Sequence, residues 1–548
     1  MGESDAAGRG GHRHEAPEPG AEGADPRRPG VPAAPHGFPS GTPAEQPTAS
    51  PADSGSPSGA PAGTAPGTPA GATDHASGRS PSGGSAVARP IVADHRTTRR
   101  AVFAAALGNA TEWYDFGVYS YLAVVIGAVF YPAASPAVQL IATFTTFAAA
   151  FLVRPLGGLF FGPLGDRIGR KRVLAITMIT MAVGTFAIGL IPSYGAIGIT
   201  APVLLLAARL VQGFSTGGEY GGATTFIAEY APDRRRGFFA SWLEFGTVSG
   251  YMAGALLVTV LTGVLDTADL HSWGWRIPFL LALPLGAVGL YLRLRLEETP
   301  VFTAAESFGE AGAHAGPAGE RGSHRLRETV VGQWRPMLLC VGLVLVFNVN
   351  NYMTTSYMPT YLSAVLGYSP THGLLMALAA MAAMLLTVAL VGRLSDRVGR
   401  RPVLMSGSVC TVVLALPAFW LLQRDTYAGV LAGMLLLALT LVHFSGAAPA
   451  ALPAFFPTRV RYGALAIAFN VSVALFGGTT PLVAEALVDA TGNPYAPAAQ
   501  LMLAGVIGIV AVSLMAESAN RPLPGARATV SARDTDGAGP AGRGRPSG

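Results

Sequence analysis

Gly162-Pro-Leu-Gly-Asp166-Arg167-Ile-Gly169-Arg170-Lys171-Arg172 recurs 230 positions later as Gly392-Arg-Leu-Ser-Asp396-Arg397-Val-Gly399-Arg400-Arg401. Glycine, aspartate and arginines fall in the same order in both, so the chain contains itself twice. Each copy closes an apolar stretch, about 138–163 before the first and about 372–394 before the second. A bilayer core takes roughly 20 consecutive apolar residues per helix. Between Ala101 and Glu517 twelve stretches meet that length, near 101–130, 138–163, 173–192, 201–228, 238–264, 276–295, 336–366, 372–394, 402–422, 427–452, 463–488 and 496–516. The period-2 alternation of a membrane β-barrel is absent. Composition agrees: of 548 residues half are hydrophobic and 13% charged, where a soluble chain carries about 25%. This excludes an ordinary soluble enzyme and a disulfide-built secreted scaffold. Cys340 and Cys410 lie in apolar stretches and read as small buried hydrophobes, not as a bridge or a metal site.

The repeat divides the chain into two six-helix bundles, 96–295 and 336–519, joined by a polar loop, 296–335. Residues 1–95 and 520–548 are rich in Gly, Pro and Ala and lack periodicity, so disordered flanks are expected. No apolar run follows the start, so the leader is not a signal peptide. Arginine placement sets the orientation. Arg167, Arg170 and Arg172 follow the second stretch, Arg234–Arg236 the fourth, and Arg321, Arg325, Arg327 and Arg335 the sixth. Arg397, Arg400 and Arg401 follow the eighth, and Arg459 and Arg461 the tenth. The alternate connections hold almost none, which puts both termini in the cytoplasm.

The doubled Gly-x-x-x-Asp-Arg-x-Gly-Arg-Arg/Lys motif resembles the signature of the major facilitator superfamily. That resemblance implies a transporter in which two bundles rock about a central site, with Asp166, Arg167, Arg170, Asp396, Arg397 and Arg400 forming a cytoplasmic gate. There the aspartate would cap a helix N-terminus and pair with arginine while the inner face is closed. Finer likeness runs through Gly108-Asn-Ala-Thr-Glu112-Trp113-Tyr114-Asp115-Phe116-Gly117-Val-Tyr119, Arg154-Pro155, Arg209-Leu-Val-Gln212-Gly-Phe-Ser-Thr-Gly-Gly-Glu219-Tyr220 and Trp273-Gly-Trp275-Arg276. Together these resemble the metabolite:proton symporter family. Three further segments favour its branch of osmosensory proline/glycine betaine:proton symporters: Ala228-Glu229-Tyr230 through Glu244, Asn351-Tyr352-Met353 with Tyr357 and Tyr361, and Leu452-Pro453 through Asn470. That branch typically ends in an extended tail with a coiled coil. The tail from Arg521 to Gly548 has no heptads, so osmotic gating through such a tail is not expected, whereas betaine or proline transport is.

An ionisable group at the centre of a span costs at least about 2.5–3.5 kcal/mol, which makes it a functional candidate. Glu112, Asp115 and Tyr119 fall at i, i+3 and i+7 on one helical face. One carboxylate could carry the coupled proton, or both could pair with arginines of neighbouring spans and only hold the bundle. Glu219 and Glu244 are further proton candidates. Arg209 shares a stripe with Gln212, Thr216 and Tyr220. It could bind a substrate carboxylate or form a structural ion pair, while Arg154, nearer the cytoplasmic end, reads as a gate or packing residue. A quaternary ammonium has no N–H to give and needs aromatic faces, worth roughly 0.5–2 kcal/mol each. Trp113, Tyr114, Tyr119, Tyr352, Tyr357 and Tyr361 supply rings, with polar Asn348, Asn351 and Asn470 alongside. His443 reads as a helix-bonded core histidine.

No Walker loop is present, and Gly213-x-x-x-Gly217 reads as a small-residue packing face. Nothing calls for a catalytic arrangement, a cofactor, a metal or a nucleic-acid partner. The expected partners are the lipid bilayer, a proton and a small zwitterion or carboxylate. The expectation is a plasma-membrane symporter driven by the proton gradient. Its rivals are a metabolite carboxylate:proton symporter (α-ketoglutarate, citrate or shikimate type) and a drug/proton antiporter.

Overall fold

The computed structural model describes residues 91–93, 95–168, 170–217, 219–294, 330–458, 460–525 and 530–532. The expected disorder of residues 1–90 and 533–548, and most of the central loop, lies outside them. All twelve apolar stretches are helical. Among the described residues eight continuous helices are long and apolar enough to cross a bilayer, from Pro136–Phe161 to Ala496–Ser513. Two more spans are bent pairs: Val102–Tyr121 with Ala123–Phe130 at 60°, and Thr267–Gly274 with Arg276–Tyr291 at 42°. The third span is Arg170–Leu190, and the fourth is broken into Thr200–Ser215 and Glu219–Tyr230. Three residues of each flank, Ile91–Ala93 and Val530–Ala532, pair as a parallel two-stranded strip.

The breaks have local causes. In the first span Ser120 Oγ donates to Gly117 O at 2.9 Å just ahead of the bend at Leu122, and back-bonding of this kind bends helices. The fourth is interrupted after Ser215, where Thr216 and Gly217 form a turn and glycine has no side chain to hold it. The seventh passes from Trp334–Tyr352 into π-turns at Met353–Tyr357 and Tyr361–Val365, around Pro359. Proline removes a ladder hydrogen bond, and π-turns recur at functional sites.

The bundles meet along a seam that repeats the internal duplication. The fifth span packs across it on the eighth and tenth, and its repeat-mate, the eleventh, packs on the second and fourth. At the arginine-bearing face the seam is closed by a carboxylate. Asp396 Oδ1 accepts from Gly237 N at 2.7 Å and Oδ2 from Phe238 N at 2.9 Å. An α-helix leaves its first amides unpaired, and here an aspartate of the opposite bundle satisfies two of them. The approach requires glycine on both helices: a Cβ at Gly392 would lie 2.8 Å from Gly237 O. Gly399, three residues after Asp396, turns the chain at φ +115°, a conformation L side chains rarely adopt. Two of the motif's glycines thus have separate structural reasons. Asp396 caps the helix as expected, but Arg397 is exposed, and Arg400 is buried against Ser518, to whose O and Oγ its Nη1 donates at 3.0 Å. The side chains of Asp166, Arg167 and Arg170, the other half of the gate, lie outside the described residues.

After the twelfth span the chain stays packed as far as residue 525 and straps this face. Glu517 accepts from the amides of Arg400 and Arg401 at 3.0 Å, and Arg521 and Pro524 carbonyls accept from Arg236 and Arg461 of opposite bundles. Burial alone would raise the Glu517 carboxyl, but amides of Ala519, Arg400, Arg401 and Ser518 hold it below its ordinary value. Its contribution is therefore present near neutral pH and lost as pH falls through that lowered value, on the acid side of the ordinary carboxyl range. Proteolysis of residues 519–525 in the purified protein is expected to rise in that window, and Glu517→Gln is expected to show the rise already at neutral pH. Asp396→Asn loses the charge and one amide partner, at about 1–2 kcal/mol. A cysteine placed at buried Ser241 on the fifth span should then react faster with a water-soluble maleimide.

Candidate functional site

The centre of the seam is a cluster of rings around two buried guanidiniums. Phe144, Phe147 and Phe151 lie at i, i+3 and i+7 on the second span, and Phe147 and Phe151 face Phe116 of the first, with centroids 6.5 and 4.7 Å away. From the opposite bundle Tyr352 comes edge-on to Phe147 at 6.2 Å and Phe151 at 5.3 Å and lies 6.0 Å from Trp113. Tyr251 stands 5.5 Å from Trp113 and faces Asn351 and Ser356 of the seventh span. The indole of Trp113 donates to Asn109 Oδ1 at 3.1 Å.

Arg154 and Arg209 both sit in this cluster. Arg154 Nη2 donates to Glu112 Oε1 at 2.5 Å and Nε to Thr216 Oγ1 at 2.8 Å, with the ring faces of Phe116 and Phe151 each 5.2 Å away. It is therefore an intrabundle partner of the first span at the centre, not a residue of the arginine-bearing gate. Glu112 follows the pairing alternative. Arg209 lies over Tyr119 at 4.1 Å and between Phe147 and Phe116 at 5.2 and 5.3 Å. Its Nη1 donates to Gln212 Oε1. Among the described residues its Nε and Nη2, and those of Asn348 Nδ2 and Tyr352 Oη, make no hydrogen bond although buried. Asp115 accepts from Thr185 Oγ1 at 2.9 Å, and Gln212 Nε2 donates to the same hydroxyl at 2.8 Å. Thr185 thus links the acid to the arginine stripe. Two cations and two carboxylates balance at the centre.

Glu112, Asp115 and Glu219 line a small recess between the first, third, fourth and sixth spans, inside one bundle. Tyr114 donates to Pro278 O at 2.9 Å, away from the seam. Tyr220 donates to Glu244 Oε1 at 2.5 Å and stacks 4.0 Å from Phe469, while Asn470 Nδ2 donates to Gly217 O at 2.5 Å. With the ion pair Arg461–Glu229 at 2.7 Å, these contacts seal the arginine-bearing half. Tyr357 donates to Glu485 Oε2 at 3.0 Å and meets Phe144 edge-on at 6.0 Å; Tyr361 donates to Pro494 O at 2.7 Å. These lie in the opposite half, so neither ring joins the central cluster. The side chains close on the centre from both faces, an occluded arrangement. His443 Nδ1 is bonded to Leu439 O at 2.7 Å, and Gly213 packs against Ala150 O. Sequence reasoning missed Thr185, Tyr251, Glu485 and the second-span phenylalanines; the spacing of the last was the available signal.

A family model described as sugar (and other) transporter matches residues 101–528. The chain is 50% identical over 444 residues to a glycine betaine/proline/ectoine/pipecolic acid transporter of Dickeya dadantii (strain 3937), covering 80% of this chain and 87% of that one. It is 50% identical over 441 residues to a proline/betaine transporter of Escherichia coli (strain K12), covering 80% and 88%. Among solved structures it resembles a proton:xylose symporter of the major facilitator superfamily bound to 6-bromo-6-deoxy-D-glucose, with TM-score 0.63, 18% identity and coverage of 78% and 98%. At that identity the likeness concerns the fold.

The Glu112–Arg154 pair yields a stability test. Removing one partner of a buried pair leaves an uncompensated charge, at about 3–5 kcal/mol. Glu112→Gln should lower the midpoint of thermal unfolding in detergent, and the double variant Glu112→Gln with Arg154→Gln should recover part of the loss.

Proposed function

The chain belongs to the sugar (and other) transporter family, within the major facilitator superfamily, and from that premise we propose that it takes up proline, glycine betaine or a related zwitterionic solute with a proton by alternating access. It is a multi-pass protein of the cell membrane and not an enzyme. The arginine-bearing face is the cytoplasmic one.

One observation carries the substrate reading: the Nε–Nη2 edge of Arg209 is buried, unpaired and ringed by aromatic faces. That edge offers two parallel N–H groups, the geometry that binds a carboxylate at both oxygens. The carboxylate of the solute docks there. Its cationic end goes to the rings of Trp113, Phe151 and Tyr352, which attract a charge without needing it to donate. Charge balance favours a zwitterion over the carboxylate rival: Glu112 already neutralises Arg154, and Asp115 stands near Arg209. A dianion would find at most one free cation, Arg209, for its two charges.

Asp115 carries the proton. It lies on the recess and next to the arginine stripe, so a bound solute and a bound proton are felt by the same small set of groups. With the proton on Asp115, the charge of Arg209 is free for the solute carboxylate; without it, Asp115 competes. One positive charge entering down 100 mV releases about 2.3 kcal/mol, enough for roughly 50-fold accumulation of a net-neutral solute.

Radiolabelled uptake of proline, glycine betaine and α-ketoglutarate, in a strain without its own carriers and with or without a protonophore, tests the reading. The two zwitterions should accumulate and collapse with the protonophore; preferential uptake of α-ketoglutarate would overturn it. Arg209→Lys, which keeps charge but not the fork, should lose at least about tenfold in kcat/KM. Asp115→Asn should exchange solute across equal pH yet fail to accumulate it.

A further inference from the structure

Glu485 is buried on the eleventh span, 5% exposed, and no role in transport has been given to it so far. It makes no ion pair among the described residues. Its Oε2 accepts from Tyr357 Oη at 3.0 Å. Tyr357 closes the π-turn Met353–Tyr357, is fully buried, and sets its ring against Phe144 of the other bundle at 6.0 Å and 62°. An acid and a tyrosine of one bundle thus hold a ring across the seam, on the half away from the arginine-bearing face. The same construction seals the other half with the bundles exchanged. Glu244 and Tyr220 belong to the N-terminal bundle, and the ring of Tyr220 lies on Phe469 of the C-terminal bundle, 11° from parallel. The two acids sit on the fifth and eleventh spans, which are mates in the internal repeat.

We propose that Glu485 is a proton-responsive latch of the outer gate, a positioning residue that acts through Tyr357 on Phe144, with Glu244 its counterpart at the inner gate. A hydrogen bond to an ionised carboxylate is roughly twice as strong as one to a neutral acceptor. The ionised acid therefore pins the tyrosine hydroxyl, and with it the ring that closes the seam. Protonation from outside weakens that hold and lets the outer half part. The groups facing Glu485 leave it free to answer to the proton. The seventh span presents Tyr357, with Tyr361 beside it, its own helix has Asp489 one turn on, and the twelfth span has no titratable residue from Ala496 to Ser513. The only ionisable group of the second span before the gate motif is Arg154, ten residues from Phe144 and paired with Glu112. The outer gate then opens with a proton and not without one. This deepens the symport reading above and rests on it.

The test measures the gate without a substrate. Spin labels at exposed Ser135 and Thr491, one on each bundle at the outer face, are placed in the full chain carrying Cys410→Ala and reconstituted in liposomes. Double electron–electron resonance at about pH 8 and about pH 5 reports their separation. The parent protein should shift toward longer distances at the lower pH, with the open-to-closed ratio changing about tenfold. Glu485→Gln and Tyr357→Phe should each give the long distances at both pH values, and Glu244→Gln should keep the parent's response at this face. The proposal is overturned if either Glu485→Gln or Tyr357→Phe responds to pH as the parent does. Should one variant fail to fold, the other decides. A parent that moved no zwitterion would count against the transport reading alone, because the distances need no substrate.

Discussion

At the start of the fifth span two backbone amides point at a carboxylate that belongs to the other half of the protein. The first turn of a helix always has amides to satisfy, and within a low-dielectric seam they cannot be left to water. Asp396 supplies the acceptors, at 2.7 and 2.9 Å, and Gly237 and Gly392 let the two backbones come close enough for it to do so. The bond cannot be loosened gradually: either the carboxylate sits on the amides or the helices part and water takes its place. A closed state held in this manner is one of two discrete states, which is what a rocking-bundle carrier requires.

The centre follows a different rule. Charges and rings share one cluster, and the electrostatics balance only when counted over four side chains on three spans. Glu112 and Arg154 complete each other, as a buried ion pair must to repay its desolvation. Asp115 and Arg209 do not bond directly and share Thr185 and Gln212 instead. The first pair is joined directly, and the second only through those two side chains.

Above and below that centre the seam is closed by aromatic contacts whose tyrosines are tied to buried acids. Rings are suited to this, since they bury large area with few rotatable bonds and need no partner beyond another face or edge. The twofold character of the fold reappears here in chemistry and not in register. Glu244 and Glu485 occupy repeat-related spans at unrelated positions, so alignment of the halves would not have paired them.

The sequence alone determined the helical spans and their division into two bundles, and it singled out Asp396, because span length, arginine placement and a motif repeated at a fixed interval are all one-dimensional quantities. It also put Glu112, Asp115 and Arg209 on inward faces, since lipid solvates no charge. It could not say which acid meets which arginine, because Arg154 lies 42 positions from Glu112 and only the packing of the first and second spans decides that they touch. Nor could it sort the tyrosines: Tyr352, Tyr357 and Tyr361 look alike along the seventh span, yet the π-turns around Pro359 rotate them toward different neighbours. Glu485 carried only the general signal of an acid within an apolar stretch, 463–488. Its meaning comes from a hydroxyl 128 residues away and a phenylalanine in the opposite bundle, and proximity of that kind exists only once the chain has folded.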